Sequence, residues 1–139
     1  MEGEGTSGWT RQSAALEIGG FDETLPSLPD TDFYWRMQLA GYELHFAPDA
    51  IVHYRLRSRI SGVIRQARQY AVADVALHRK YEAQGMPPIR FSSALRGWAE
   101  LGLRAPLLLT RAGRFRYAWI LGFRLGRIQG MMRYRFPAL

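Results

Sequence analysis

Two aspartates, Asp30 and Asp32, are separated by one threonine and open an aromatic-rich segment, residues 33–42. They follow the pair Leu28-Pro29, and acids in that position are typical of a helix N-terminus. There a carboxylate can accept hydrogen bonds from free backbone N–H groups and still project from the end of the helix. A carboxylate placed in this way can also act as a general base. Asp30 is therefore a candidate N-cap and a candidate base, and the two roles do not exclude each other.

The composition limits the class of protein. The chain has 139 residues, 47% of them hydrophobic, which can fill the core of one ordinary domain. It has no cysteine, so disulfide frameworks and thiolate metal sites are excluded. The acidic, glycine-rich residues 1–5 are the opposite of a secretory signal, and no uncharged apolar run approaches the roughly 18 residues of a spanning helix. We expect a cytoplasmic protein, either free or peripheral at the inner face of the cell membrane.

The net charge of +7 is divided unevenly along the chain. Residues 1–50 hold nine acids and two bases, whereas residues 51–139 hold three acids and 17 bases. Such asymmetry predicts a negatively charged partner, either nucleic acid or anionic lipid. No recognised nucleic-acid-binding motif is present, and the acidic first third would repel phosphate, so we expect no nucleic acid partner.

The pattern of apolar and turn residues predicts the elements. Helical patterns cover three segments: residues 10–18, 31–40 and 58–84. Gly19 and Gly41 are expected to end the first two helices, and Asp32 and Arg36, four residues apart, are expected to pair.

Two short apolar segments, residues 43–47 and 51–54, predict strands that are separated by the turn Pro48-Asp49. Residues 85–88 break the long third helix and are the predicted domain boundary. A helical tail interrupted at Pro106 follows.

Five short pieces of the sequence carry a family resemblance: Gly19 to Glu23, Asp30 to Arg36, Ala40 to Tyr42, Pro48 to Ala50, and Val52-His53. In this order and spacing they resemble the C-terminal half of the inverting, family 2 type glycosyltransferases with a GT-A fold. The resemblance covers about residues 8–55 in detail. It implies an α/β fold, in which residues 1–86 are the acceptor-side part of a GT-A-like, Rossmann-like catalytic domain and residues 87–139 form a helical, Arg-rich tail.

The resemblance also implies an activity and its residues. The family moves a sugar from a nucleotide-sugar donor to a hydroxyl acceptor, here in glycan or glycolipid synthesis. Asp30 matches the family's catalytic aspartate and is the expected base. Asp32, Trp35 and Arg36 are the expected acceptor-binding residues. At residue 29 this chain departs from the family pattern, because it has proline where the family usually has glutamate.

A divalent metal, Mg²⁺ or Mn²⁺, is expected for the complete enzyme, and His53 matches a position where several family members place a histidine near the metal and diphosphate. A backbone carbonyl at the end of a strand could satisfy the same histidine. Asp30-Thr31-Asp32 also spells the D-x-D motif that holds the metal in such enzymes, but that motif follows a strand, whereas these acids open a helix. The alternative for Trp35 is a place in the core, where aromatic residues of a short amphipathic helix are more often found.

The tail has two overlapping patterns. Ala118, Gly122, Gly126 and Gly130 recur every four residues and form a smooth helical stripe, which allows two helix backbones to approach closely. Arginines 124, 127, 133 and 135 alternate with apolar residues, as in a segment that lies on an anionic membrane surface. A packed helix pair with solvated arginines explains the same pattern.

Residues 1–8 cannot supply the nucleotide-sugar-binding half of such an enzyme. We therefore expect the chain to be the acceptor half and tail of a glycosyltransferase and to be inactive alone. A truncated gene model, a split gene and a degenerate remnant are all compatible with this expectation. A non-catalytic, membrane-associated partner subunit is the alternative class of function.

Overall fold

The computed structural model describes residues 10–48, 51, 53, 57–87, 89 and 91–135, and for residues 91–94 it describes the backbone alone. The helices in this part of the chain are α1 (Gln12–Glu17), α2 (Pro29–Leu39), α3 (Ile60–Tyr81), α4 (Phe91–Leu103) and α5 (Arg111–Tyr134). Two 3₁₀ turns, Glu82–Gln84 and Ala105–Leu109, follow α3 and precede α5. The chain divides into two compact units, unit 1 (Met1–Leu56) and unit 2 (Arg57–Leu139).

The described residues contain no β-strand, so the expectation of an α/β, GT-A-like and Rossmann-like fold is wrong. Residues 43–47 have no regular secondary structure, and their large apolar side chains, Leu44 and Phe46, are exposed. Of the second predicted strand, only Ile51 and His53 lie within the described residues, and neither is in a strand. A short strand is stable only with a hydrogen-bonded neighbour and a covered face. In the described part of unit 1, residues 43–47 have neither a hydrogen-bonded neighbouring strand nor a covered face.

Unit 1 is built on two helices joined by a loop. Helix α1 is followed by Gly19 and α2 by Gly41, and both glycines have a positive φ (81° and 89°), which confirms them as the residues that end the helices. Ala14 from α1 and Phe33 and Met37 from α2 form the buried core. The apolar faces of two short helices therefore meet in one small cluster.

Unit 2 is built on close contact between α3 and α5. Cβ atoms added at Gly122, Gly126 and Gly130 would meet Ile64, Arg68 and Val75 respectively, so the contact positions rise together along both helices. The two helices are therefore parallel. A Cβ at Gly122 would lie 2.6 Å from the carbonyl oxygen of Ile64. The predicted role of the small-residue stripe, to bring two backbones together, is confirmed.

Helix α4 returns the chain from the end of α3 to the start of α5. Ile89, just before α4, packs with Val75 and with Met131 and Tyr134 near the end of α5. Halfway along, a Cβ at Gly97 would overlap the guanidinium of Arg124. Helix α4 therefore runs antiparallel to α5, and its connection to α5 passes through the turn that contains Pro106.

No helix in the described part of the chain combines the length and the apolar content needed to cross a membrane. The unit boundary falls after residue 56, and within unit 2 helix α3 packs on the tail helix α5. The assignment of residues 1–86 to a catalytic domain and of residues 87–139 to a tail stays a prediction, because compactness does not reveal which residues take part in catalysis.

Candidate functional site at the start of helix α2

Helix α2 begins two residues earlier than expected, at Pro29 and not at Thr31. Leu28 precedes it with a left-handed backbone (φ 60°), and Pro29 is the first helical residue, where its missing N–H costs nothing. Asp30 is therefore the second residue of the helix and not its N-cap, which is Leu28. Its Oδ1 accepts a hydrogen bond from the backbone N–H of Thr31 at 2.9 Å. The carboxylate of Asp30 is partly exposed and lies where the helix dipole favours negative charge.

Asp32 has a different environment, although it is only two residues away. Its side chain is completely buried, and its Oδ2 accepts a hydrogen bond from Arg36 Nε at 2.8 Å. This confirms the predicted pair. The two terminal nitrogens of Arg36 donate to the carbonyl oxygens of Ile18 and Gly20, each at 2.6 Å. One guanidinium thus links α2 to the end of α1 and to the loop that follows it.

The aromatic residues of α2 differ in their exposure to solvent. Phe33 is buried and stacks on Phe21 with ring centroids 4.6 Å apart. Tyr34 and Trp35 are partly exposed. Burial raises the pKa of the Tyr34 hydroxyl above its usual value, and the negative charge of Asp30 raises that pKa further. Tyr34 therefore keeps its proton beside Asp30 and can donate a hydrogen bond.

Sequence reasoning missed Tyr34 as a neighbour of Asp30, and the signal that could have found it is their spacing. Residues four apart on a helix lie on the same face. The expected acceptor-binding role of Asp32, Trp35 and Arg36 stays a prediction. Asp32 and Arg36 also have a structural role, because their ion pair and the hydrogen bonds of Arg36 connect α2 to the end of α1 and the loop that follows it.

His53, the residue expected near the metal, belongs to no cluster of metal-ligating side chains among the described residues. His53 is exposed, and nowhere in the described part of the chain do three His, Cys, Asp or Glu side chains come together in a way that could hold an ion. Asp32 faces an arginine, which opposes a cation at the same carboxylate. The donor set of the described residues therefore does not fit a divalent ion. A metal role for His53 in the complete enzyme stays a prediction.

Arginines take part in the contact between α3 and the tail helix α5. Arg127 donates to the carboxylate of Asp74 at 2.9 Å and lies over the ring of Phe123, with its guanidinium carbon 5.3 Å from the ring centroid. Arg68 on α3 donates to Gln129 on α5 at 2.8 Å. The pattern of the tail thus partly reflects helix packing, as one of the two interpretations of the sequence predicted.

Comparison with known proteins gives one relationship. The chain is 32% identical over 88 residues to proteins described as pre-mycofactocin glycosyltransferase from two strains of Mycobacterium tuberculosis, CDC 1551 / Oshkosh and ATCC 25618 / H37Rv. The match covers 63% of this chain and 19% of each relative, so the chain spans about a fifth of the length of the curated relatives it matches. No family model and no solved structure matches. The chain is related in sequence to a glycosyltransferase.

Proposed function

We propose that this chain is part of a glycosyltransferase that moves a sugar from a nucleotide-sugar to a hydroxyl acceptor, with Asp30 as the general base. The observation that carries the proposal is the sequence relationship to proteins described as a glycosyltransferase. The finer parts of the proposal rest on the motif resemblance: an inverting, family 2 type enzyme that acts in glycan or glycolipid synthesis on the cytoplasmic side of the cell envelope.

Support for Asp30 rather than Asp32 as the base comes from their accessibility. A base must reach the acceptor hydroxyl at hydrogen-bonding distance. The side chain of Asp32 has no exposed surface and is held by Arg36. The side chain of Asp30 reaches the surface, and the N–H of Thr31 orients its carboxylate.

In the proposed reaction, the carboxylate of Asp30 accepts the proton of the acceptor hydroxyl while the acceptor oxygen bonds to the anomeric carbon. The bond between that carbon and the diphosphate oxygen breaks, and the nucleoside diphosphate leaves with the bonding electron pair. Attack opposite the leaving group inverts the configuration of the sugar. Asp30 then releases its proton to solvent.

Two aromatic residues would border the acceptor. Trp35 is partly exposed and offers a flat apolar surface to a sugar ring, while the protonated hydroxyl of Tyr34 offers a hydrogen-bond donor beside the base. In this proposal Asp32 and Arg36 hold the start of α2 in place. Donor binding would depend on residues outside this chain, since the relatives are about five times as long as the matched segment.

The test is the substitution Asp30→Asn in the full-length protein that contains this segment. We expect transfer to fall by about 10²–10⁴-fold, the usual contribution of a general base, with donor binding largely unchanged. Asparagine retains an oxygen that can accept the Thr31 N–H, so the helix should still form. Transfer from UDP-, GDP- and TDP-sugars is measured together with donor affinity by calorimetry.

A matched control is Asp22→Asn in the same unit. Asp22 is also partly exposed and also accepts a hydrogen bond from a nearby backbone N–H, that of Thr24, at 2.9 Å. We expect this variant to transfer normally. Near-normal turnover of the Asp30→Asn protein, or an equal loss in the Asp22→Asn protein, would refute the role of Asp30.

A further inference from the structure

The segment that connects α4 to α5, residues 103–116, exposes leucines to solvent. Leu103 and Leu109 are 82% and 83% exposed, and Leu108 is 43% exposed. Isolated apolar residues on a surface are ordinary, but three leucines within seven positions form a cluster. We call residues 103–116 the leucine–arginine connection.

Arginines flank these leucines in the sequence. Positions 104, 111, 114 and 116 are all arginine, and the sequence has no acid from residue 101 to its end. A surface groove brings the two residue types together: its lining includes Leu103, Arg104, Leu107 and Arg116. Arg104 pairs with Glu100 at the edge of this region. The connection thus joins exposed hydrocarbon to a strong positive charge.

The conformation of the connection is fixed by hydrogen bonds. Thr110 caps α5 by accepting the N–H of Gly113 at 3.0 Å, and the Thr110 N–H donates to the carbonyl oxygen of Leu107. Arg114 Nε donates to the carbonyl oxygen of Leu108 at 2.8 Å. A Cβ at Gly113 would clash with the Leu107 carbonyl, so this close turn requires glycine. The backbone that carries the exposed leucines is therefore held in an ordered turn.

We propose that the leucine–arginine connection docks the chain on an anionic lipid surface. The leucines enter the acyl boundary, and the surrounding arginines contact lipid phosphates while their aliphatic stems lie along the apolar layer. The charge favours this occupant over a second copy of the chain, because a self-contact would bring two sets of four arginines together. The proposal does not depend on sugar transfer.

The exposed apolar residues near the end of α5 are a contrasting surface. Leu125, Ile128 and Met132 are also exposed. Of the arginines beside them, Arg127 pairs with Asp74, and the guanidinium of Arg124 lies close to Gly97. These apolar residues are exposed but lie outside the connection, so they provide a matched control.

The experiment is flotation of the full 139-residue chain with vesicles of phosphatidylcholine alone or of phosphatidylcholine with phosphatidylglycerol. We expect binding to the anionic vesicles, weakening as salt screens the exposed charges, and much weaker binding to the neutral ones. Leu109→Gln combined with Leu108→Gln should weaken anionic-vesicle binding by at least about tenfold, because apolar burial is lost. Arg111→Gln and Arg116→Gln should each weaken it by about fivefold.

The control variant is Ile128→Gln combined with Met132→Gln, which should bind the vesicles as the original chain does. Far-UV circular dichroism checks that all variants keep their helical content. The proposal is overturned by absence of flotation, by equal flotation with neutral vesicles, or by equal losses in the two double variants. It is also overturned if sedimentation shows a dimer that Leu109→Gln dissociates, since a second copy would then cover the leucines.

Discussion

The two units of this chain bring their helices together by opposite means. In unit 1, the long side chain of Arg36 links α2 to backbone carbonyls in a loop and also neutralises the buried Asp32. In unit 2, α3 and α5 approach because α5 has almost no side chain at its contact positions, where Ala118 and three glycines are buried. A charged side chain thus links the helices of unit 1 beside their small apolar core, whereas the missing side chains of α5 allow the close contact in unit 2.

This difference shows which charged residues are available for function. The buried acid of unit 1 is committed to structure, so the partly exposed Asp30 is the remaining acid at the start of α2 with access to a substrate. In unit 2 the contact between α3 and α5 needs few arginines, and many of the arginines therefore stay at the surface. A sequence motif that includes both kinds of residue does not distinguish these roles by itself.

The largest effect is expected at the glycine contact. In Gly126→Leu the new side chain would meet the carbonyl of Arg68, and its Cβ would lie 2.7 Å from the Cβ of Ala71, so the helices must separate. We expect the free energy of unfolding to fall by roughly 3 kcal/mol or more, as for severe overpacking. Urea denaturation followed by circular dichroism is the measurement.

The matched control is Gly102→Ala in α4, where an added Cβ has no neighbour within 4 Å. Alanine there should stabilise the chain slightly, by at most about 1 kcal/mol, since it favours helix over glycine. If the Gly126 and Gly102 variants had similar stability, close backbone approach would not be what holds unit 2.

The next largest effect is expected at the link in unit 1. Arg36→Met removes the cation that faces the buried Asp32 carboxylate, and it removes the donors to two carbonyl oxygens. Breaking a buried ion pair costs about 3–5 kcal/mol, and because Arg36 is 22% exposed we expect a loss of about 2–4 kcal/mol. Amide hydrogen exchange of residues 12–42 reports this loss locally.

Adding Asp32→Asn to Arg36→Met should recover part of that stability, because the buried group is then neutral. Independent, additive losses from the two substitutions would show that the pair is not coupled. Arg36→Lys keeps the charge but lacks the planar fork, and it should fall between the original chain and the methionine variant.

The sequence predicted the local parts of this structure well. Gly19 and Gly41 mark helix ends because a positive φ is easy for glycine, and the pairing of Asp32 with Arg36 follows from their spacing on one helix. The four-residue stripe in α5 predicted a close helix contact for the same reason. Each of these features depends on residues that are close in sequence and lie in or directly after one helix.

The non-local parts could not be predicted in the same way. Nothing in the local pattern shows that Arg36 reaches the carbonyls of Ile18 and Gly20, or that the partner of α5 is a parallel α3. The prediction of a strand at residues 43–47 was wrong. Its apolar residues favour the extended conformation, but a strand forms only where a neighbouring strand pairs with it. The relationship to a glycosyltransferase was predicted from the motifs. The roles of individual residues also depend on which side chains are buried, and the motifs do not show this.

The smallest effect is a dependence of the stability of unit 1 on alkaline pH. In unit 1 the pKa of Tyr42 is raised, first by its hydrogen bond to Glu17 at 2.5 Å and then by burial, and burial and Asp30 raise the pKa of Tyr34. Below the ordinary tyrosine pKa of about 10, both the folded and the unfolded chain keep these protons. Above it the unfolded chain loses them first, so the stability of unit 1 should decline as the pH rises further.

Site-resolved NMR titration of the tyrosine rings measures both values. Glu17→Gln should lower the pKa of Tyr42 toward its usual value and leave that of Tyr34 in place, whereas Asp30→Asn should lower the pKa of Tyr34 alone. Glu23→Gln, which removes an exposed carboxylate of the same unit, should move neither. If Asp30→Asn left the pKa of Tyr34 unchanged, the two side chains would not be close enough to act on one hydroxyl acceptor. The proposal that Tyr34 lies beside the base would then fail, while the link through Arg36 would be unaffected.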